Sequence, residues 1–295
     1  MTEARIPVDL LNPGQVFACL GFMEAAEIIL KTRCEASFDY VGIETDTTFS
    51  LCADSDRDPI ASVIEFLAQA SAYAVVPTGS SLSTKQWNVT MVSSLDLIFP
   101  SAEPLMPAKL PVELDADGIG LPIEHWAEGA ASGRDNVKFW AGSGGYPGAA
   151  LARDVIALVG ELSPADRSLA IREPFSIAKP MSSKFRFDWR RDYVPLDAGF
   201  SLNNLKHIST IGYPIVEVMA AIGLQNARPI RIDKLNYKYG VWSGRLPSIL
   251  ARAVLGTAPI GFPMRTFHMY LGWPGKEGQA RCIINAQEEF EHDRR

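Results

Sequence analysis

Three groupings in the chain have side chains able to act on a ligand. His125, His207, His268 and His292, with Cys19, Cys34, Cys52 and Cys282, carry the types that ligate metals or make nucleophile–base pairs. Their spacing argues against both uses. None forms a His-x-x-x-His or Cys-x-x-Cys pair, and no Gly-x-Ser-x-Gly elbow is present. Asp54, Asp56 and Asp58 could offer oxygens to a divalent cation, but a solvated acidic loop whose last residue caps the helix starting at Pro59 accounts for them. Gly142, Gly144, Gly145 and Gly148 would let backbone amides cradle a phosphate, yet no Gly-Lys-Ser/Thr ending follows, and the cluster reads as a flexible or close-packed turn. An enzyme reading would place its site at His125, Asp135 and this Gly142–Gly148 loop.

The third grouping is basic and interleaved with aromatics: Lys184-Phe185-Arg186-Phe187-Asp188-Trp189-Arg190-Arg191. Strand alternation would set Phe185, Phe187 and Trp189 on one side and Lys184, Arg186 and Arg190 on the other. Lysine and arginine neutralise phosphates, and a guanidinium can fork onto a guanine edge. Candidate nucleic-acid contacts are therefore Lys184, Arg186, Arg190, Arg191, Lys206, Lys234, Lys238 and Arg245. The competing explanation is that these cations are the solvated side of ordinary strands, or pair with carboxylates elsewhere in the molecule.

Helices and strands must position these groups. Asn12-Pro13, with Gln15, begins an amphipathic helix running to about Lys31, and Asp58-Pro59 repeats that start after a short strand over Thr47–Cys52. One or two strands are expected in Trp87–Phe99, a helix from about Ala149 to Leu162, and a proline-punctuated stretch around Pro164, Pro174 and Pro180. Tyr213–Leu224 and Leu246–Leu255 read as helices, Arg231–Tyr239 and Met264–Leu271 as strands, and the tail to Arg295 as frayed. The expected fold class is α+β, with mainly antiparallel sheets and packed helices in two coupled lobes, 1–165 acidic and 166–295 basic.

Composition narrows the function further. The chain has 295 residues, 47% of them hydrophobic and 21% charged, which excludes a disordered or fibrous chain. Net charge is −6, but residues 1–166 carry 9 basic and 23 acidic side chains, whereas 167–252 carry 14 basic against 6 acidic, a local +8. A polyanion could be held only by that block. No uninterrupted apolar run reaches the ~20 residues of a membrane span, and the N-terminus lacks a secretion pattern, so a cytoplasmic protein with reduced thiols is expected.

The run from Ile6-Pro7-Val8-Asp9 through Asn12-Pro13-Gly14-Gln15-Val16-Phe17-Ala18-Cys19-Leu20-Gly21 resembles the N-terminus of a compact large-subunit family of type I-U (I-G) CRISPR-associated surveillance (Cascade) complexes. The likeness continues at Val137–Gly142, at Phe185–Asp188 followed by Ala198–Asn203, and at Tyr213–Leu224, so it spans most of the chain. Ile123-Glu124-His125-Trp126 departs from the Asp-Trp-Trp of relatives. The resemblance implies a non-catalytic subunit of antiviral defence; from the residue spacings no cofactor or metal is expected. Its implied partners are the other subunits, guide RNA, double-stranded target DNA at the protospacer-adjacent motif, and a helicase-nuclease.

Overall fold

The computed structural model describes residues 1–40, 47–94, 110–123, 148–181, 185–190, 210–272 and 282–289. Strand β1 (Thr2–Pro7) leads into helix α1 (Pro13–Leu30), which starts at the Asn12-Pro13 step because proline is preset for the first helical turn. Strands β2 (Cys34–Asp39) and β3 (Thr48–Ala53) follow. Helix α2 (Pro59–Gln69) is capped by Asp58, whose carboxylate accepts the Ala61 N–H at 2.8 Å. Strand β4 (Ser71–Pro77), a 3₁₀ turn at Lys85–Trp87, and strands β5 (Thr90–Ser94), β6 (Val112–Ala116) and β7 (Ile119–Ile123) come next. The second half holds α3 (Gly148–Gly160), α4 (Pro164–Arg172), β8 (Lys179–Met181), β9 (Thr210–Gly212) and α5 (Pro214–Gly223). It closes with β10 (Ile230–Arg231), β11 (Asn236–Trp242), β12 (Leu246–Pro247), α6 (Ser248–Leu255), β13 (Met264–Gly272) and β14 (Cys282–Glu288).

The class is α+β. The sheets run β1-β3-β2-β12, β5-β4-β6-β7, β10-β11-β13-β14 and the pair β8-β9. All described pairings are antiparallel except β4 with β5, which the 3₁₀ turn and its flanking loops connect. Helix α1 is the centre of the packing. Phe17, Leu20, Phe22 and Met23 are fully buried, each contributing about 2 kcal/mol from lost apolar exposure. It is long and apolar enough to cross a membrane, yet it lies inside the fold, and its Glu24 accepts from Nε and Nη2 of Arg252 of α6 at 2.5 and 2.6 Å.

Glycines let α1 and α5 cross with their backbones in contact. A Cβ on Gly21 would sit 1.9 Å from the Met219 carbonyl oxygen, and one on Gly223 would sit 2.0 Å from that of Phe17. The hydrophobic core is continuous across the charge boundary near 165: α1 packs on α5, and β12 pairs with β2 at Leu246 opposite Ala36. Trp242 adds a tie, donating its indole N–H to the Ala36 carbonyl at 2.8 Å.

Several elements differ from the sequence expectation. Residues 185–190 are not a strand, although their alternation is real for Phe185 and Phe187, which are buried. Trp189 is 42% exposed rather than packed with them. Arg231–Tyr239 is broken, because Asp233 accepts the Leu235 and Asn236 N–H groups and turns the chain between β10 and β11. The proline-punctuated stretch contains α4, capped by Ser163, and the expected frayed tail contains β14, paired along β13.

Candidate nucleic-acid interface

The segment 185–190 takes its shape from what replaces a strand partner. Glu217, fully buried in the first turn of α5, accepts the backbone N–H of Phe187 at 2.9 Å and that of Asp188 at 3.4 Å. A carboxylate is favoured there by the partial positive charge of a helix N-terminus. Asn12, expected to cap α1 with its side chain, instead donates its amide to Asp188 at 2.9 Å, leaving its own Oδ1 buried without a partner. Gln15 reaches back past the cap to accept the Asp9 N–H at 2.8 Å. Gly14 permits the approach, since a Cβ there would lie 2.4 Å from the Phe187 carbonyl oxygen.

Arg190 is bound into this network. Its guanidinium meets Asp188 at 2.6 Å, donates to the Phe175 carbonyl at 2.8 Å, and lies 3.7 Å over the Tyr213 ring. Burial opposes the cation, but the Asp188 carboxylate overrides it and raises the Arg190 pKa above its ordinary value. Asp9, close by, is pushed up by desolvation against the opposing pull of the Leu11 N–H and Arg190.

The other expected contacts divide three ways. Lys184, Arg191 and Lys206 lie outside the described residues, as do His125, Asp135 and the loop up to Pro147. Lys238 pairs with Glu289 at 2.8 Å, and Arg245 pairs at 2.6 Å with Glu3 of β1, so a carboxylate of the acidic half neutralises part of the basic block. Lys234 is exposed in the turn before β11. Arg186 is distinct from all of these: its Nε is buried without a hydrogen-bond partner, and it makes no ion pair among the described residues. The described candidate contacts thus occupy three places: the 185–190 segment, the β10–β11 region and the β12 edge.

Among the described residues, the side chains that could ligate a metal or act as thiol nucleophiles can be placed. Glu65 stands at the twelfth position counted from Asp54, so Asp54, Asp56, Asp58 and Glu65 share the acidic spacing of an EF-hand loop, a pattern sequence reasoning missed. That loop requires glycine at its sixth position. Here Pro59 starts a helix, Asp58 is spent on its cap, and Glu65 points outward from α2. Among the described residues no group of three His, Cys, Asp or Glu side chains comes close enough to hold a metal ion. Cys19, Cys34 and Cys52 are buried, and desolvation pushes the Cys34 thiol up to about 12, far from a reactive thiolate.

One cleft of about 310 Å³ opens between β4, β5 and α3, bordered by Tyr73, Asn88 and Arg153. Its one cation is engaged: Arg153 binds Asp154 at 2.5 Å, the Asn88 carbonyl at 2.8 Å and the Trp87 carbonyl. Comparison of the chain with protein-family models, with curated proteins and with solved structures finds no match.

Proposed function

We propose that the chain is a non-catalytic subunit of a type I RNA-guided surveillance complex. It engages target duplex DNA beside the protospacer, with Arg186 as a phosphate contact, and supports assembly and helicase-nuclease recruitment in the cytoplasm. The observation that carries this reading is Arg186 itself. A guanidinium with a buried, unpartnered Nε is costly unless an anion meets it, and Arg186, in the +8 block, makes no ion pair among the described residues.

The sequence resemblance supplies the identity of that anion. Three of the runs that carry it are far apart in the chain, yet Asn12, Gly14, Phe187, Asp188, Tyr213 and Glu217 meet in one network that holds the Arg186 segment. Shared runs that converge on one structural unit support a common architecture. In complexes of this kind, guide pairing reads most of the target while protein holds backbone and a few bases at its edge. A single well-fixed arginine suits that role better than a broad basic surface, which the ion pairs of Arg190, Lys238 and Arg245 oppose.

The test is copurification. Expressed with its neighbouring genes, a tagged chain is expected to carry a repeated backbone subunit and a small structured RNA. A chain recovered alone, with no RNA and no partner, would contradict the assignment.

A further inference from the structure

The sheet β10-β11-β13-β14 has one face turned to the core, where Tyr239 stacks on Phe267 and donates its hydroxyl to the Leu10 carbonyl. On the opposite face α6 covers only the end near Gly240, whose Cβ position lies 2.1 Å from the Val254 carbonyl oxygen. Beyond that end the described residues of this face are exposed or part-exposed, and register defines what they present. Ile230, Lys238, His268 and Gln287 stand in one row across the four strands; Asn236, Tyr270 and Asn285 stand in the next. Residues opposite one another across a sheet share a face.

Tyr270 and His268 are two apart on the same central strand, and their rings stack with centroids 6.5 Å apart and planes 21° from parallel. Both are part-exposed. Gln287 donates its amide to the Tyr270 hydroxyl at 3.0 Å, and Glu289 accepts from Lys238 at 2.8 Å while facing His268 at 3.7 Å. The rings are therefore held in place before any ligand arrives, which lowers the entropy lost on binding. Arg231 and Lys234 are exposed where β10 turns into β11, and Ile284 is 53% exposed at the opposite edge.

The geometry points to a binding surface for single-stranded RNA on this face, with a splayed base stacked on Tyr270 and His268 and the flanking phosphates at Lys238 and Lys234. An antiparallel sheet carrying aromatics on a central strand is a general solution for stacking unpaired bases, and every base has a face to stack. Asn236, Asn285 and Gln287 ring the platform with side chains that both donate and accept, matching base edges and the ribose 2′-hydroxyl and favouring RNA over DNA. The carboxylate of Glu289 shares Lys238 with any phosphate, so stacking rather than charge must dominate. This surface is separate from the Arg186 segment and does not require the surveillance-complex reading.

The test uses the purified full chain and an oligouridylate RNA of about eight nucleotides carrying 5-iodouridine, a length within the range one such fold covers. Photocrosslinking and mass spectrometry are expected to place the adduct on Tyr270 or His268. Tyr270→Ala is expected to weaken binding about ten-fold, and Tyr270→Phe, which keeps the ring, to retain it. Glu289→Gln is expected to tighten binding by freeing Lys238. Adducts confined to other elements, unchanged affinity in Tyr270→Ala with its fold verified by circular dichroism, or a DNA oligomer of the same sequence bound as tightly would each overturn the proposal. None of these results bears on whether the chain copurifies with a surveillance complex, so the two readings fail separately.

Discussion

Glu217 Oε2 accepts the backbone N–H of Phe187 at 2.9 Å, so a helix side chain serves the 185–190 segment where a neighbouring strand would otherwise stand. Its second oxygen takes the Asp188 N–H. Replacing Glu217 by Ala leaves two N–H groups unsatisfied in the interior and is expected to cost about 3 kcal/mol, read by urea denaturation. Glu217→Gln keeps one acceptor and should cost less. Equal stability of Glu217→Ala and wild type would show that the segment is held by other contacts.

Arg190 and Arg186 sit four residues apart but are predicted to respond differently. Arg190→Ala strands the fully buried Asp188 carboxylate without its cation and should lower unfolding free energy by about 3 kcal/mol. Arg186→Ala removes a group with no partner among the described residues, so its thermal midpoint should stay at or above that of wild type. Differential scanning calorimetry of both variants distinguishes a structural arginine from one held for a ligand.

The α1–α5 crossing depends on the absence of two side chains. Gly21→Ala and Gly223→Ala would each force a methyl group into a backbone carbonyl, and each is expected to destabilise by about 3 kcal/mol or to abolish folding. Gly79→Ala, in open space at positive φ, is the control for backbone strain alone. Soluble yield and thermal midpoint are the readouts.

Much of this was readable from local chemistry. The Asn12-Pro13 and Asp58-Pro59 steps place the starts of α1 and α2, and the apolar run after Tyr213 places α5, because caps and proline act within a few residues. The 185–190 segment was not readable as irregular, since its alternation is that of a strand and its partner, Glu217, lies about thirty residues on. The tail hid β14 because Cys282–Glu288 is half polar and takes its register from β13. Likewise the +8 block is visible in composition, whereas the capture of Arg245 by Glu3 spans 242 positions and needs coordinates.

Asp9 gives a pH signature. Desolvation raises its folded pKa above the unfolded value of about 4, so the native state binds this proton more tightly than the unfolded chain. Its contribution therefore falls as pH rises from about 4 through the folded pKa, where the half-buried carboxylate must ionise. Asp9→Asn, which retains an acceptor for the Leu11 N–H, should lose that decline and gain relative to wild type at neutral pH. Parallel pH profiles from urea titrations of the two proteins would contradict the assignment.

The most direct measurement is the salt dependence of target-duplex binding by the reconstituted assembly, compared between wild type and Arg186→Ala. Loss of one phosphate contact predicts weaker binding and a log–log slope shallower by about one unit. An identical slope and affinity in the variant would contradict the account, because Arg186, which makes no ion pair among the described residues, would then not be meeting DNA.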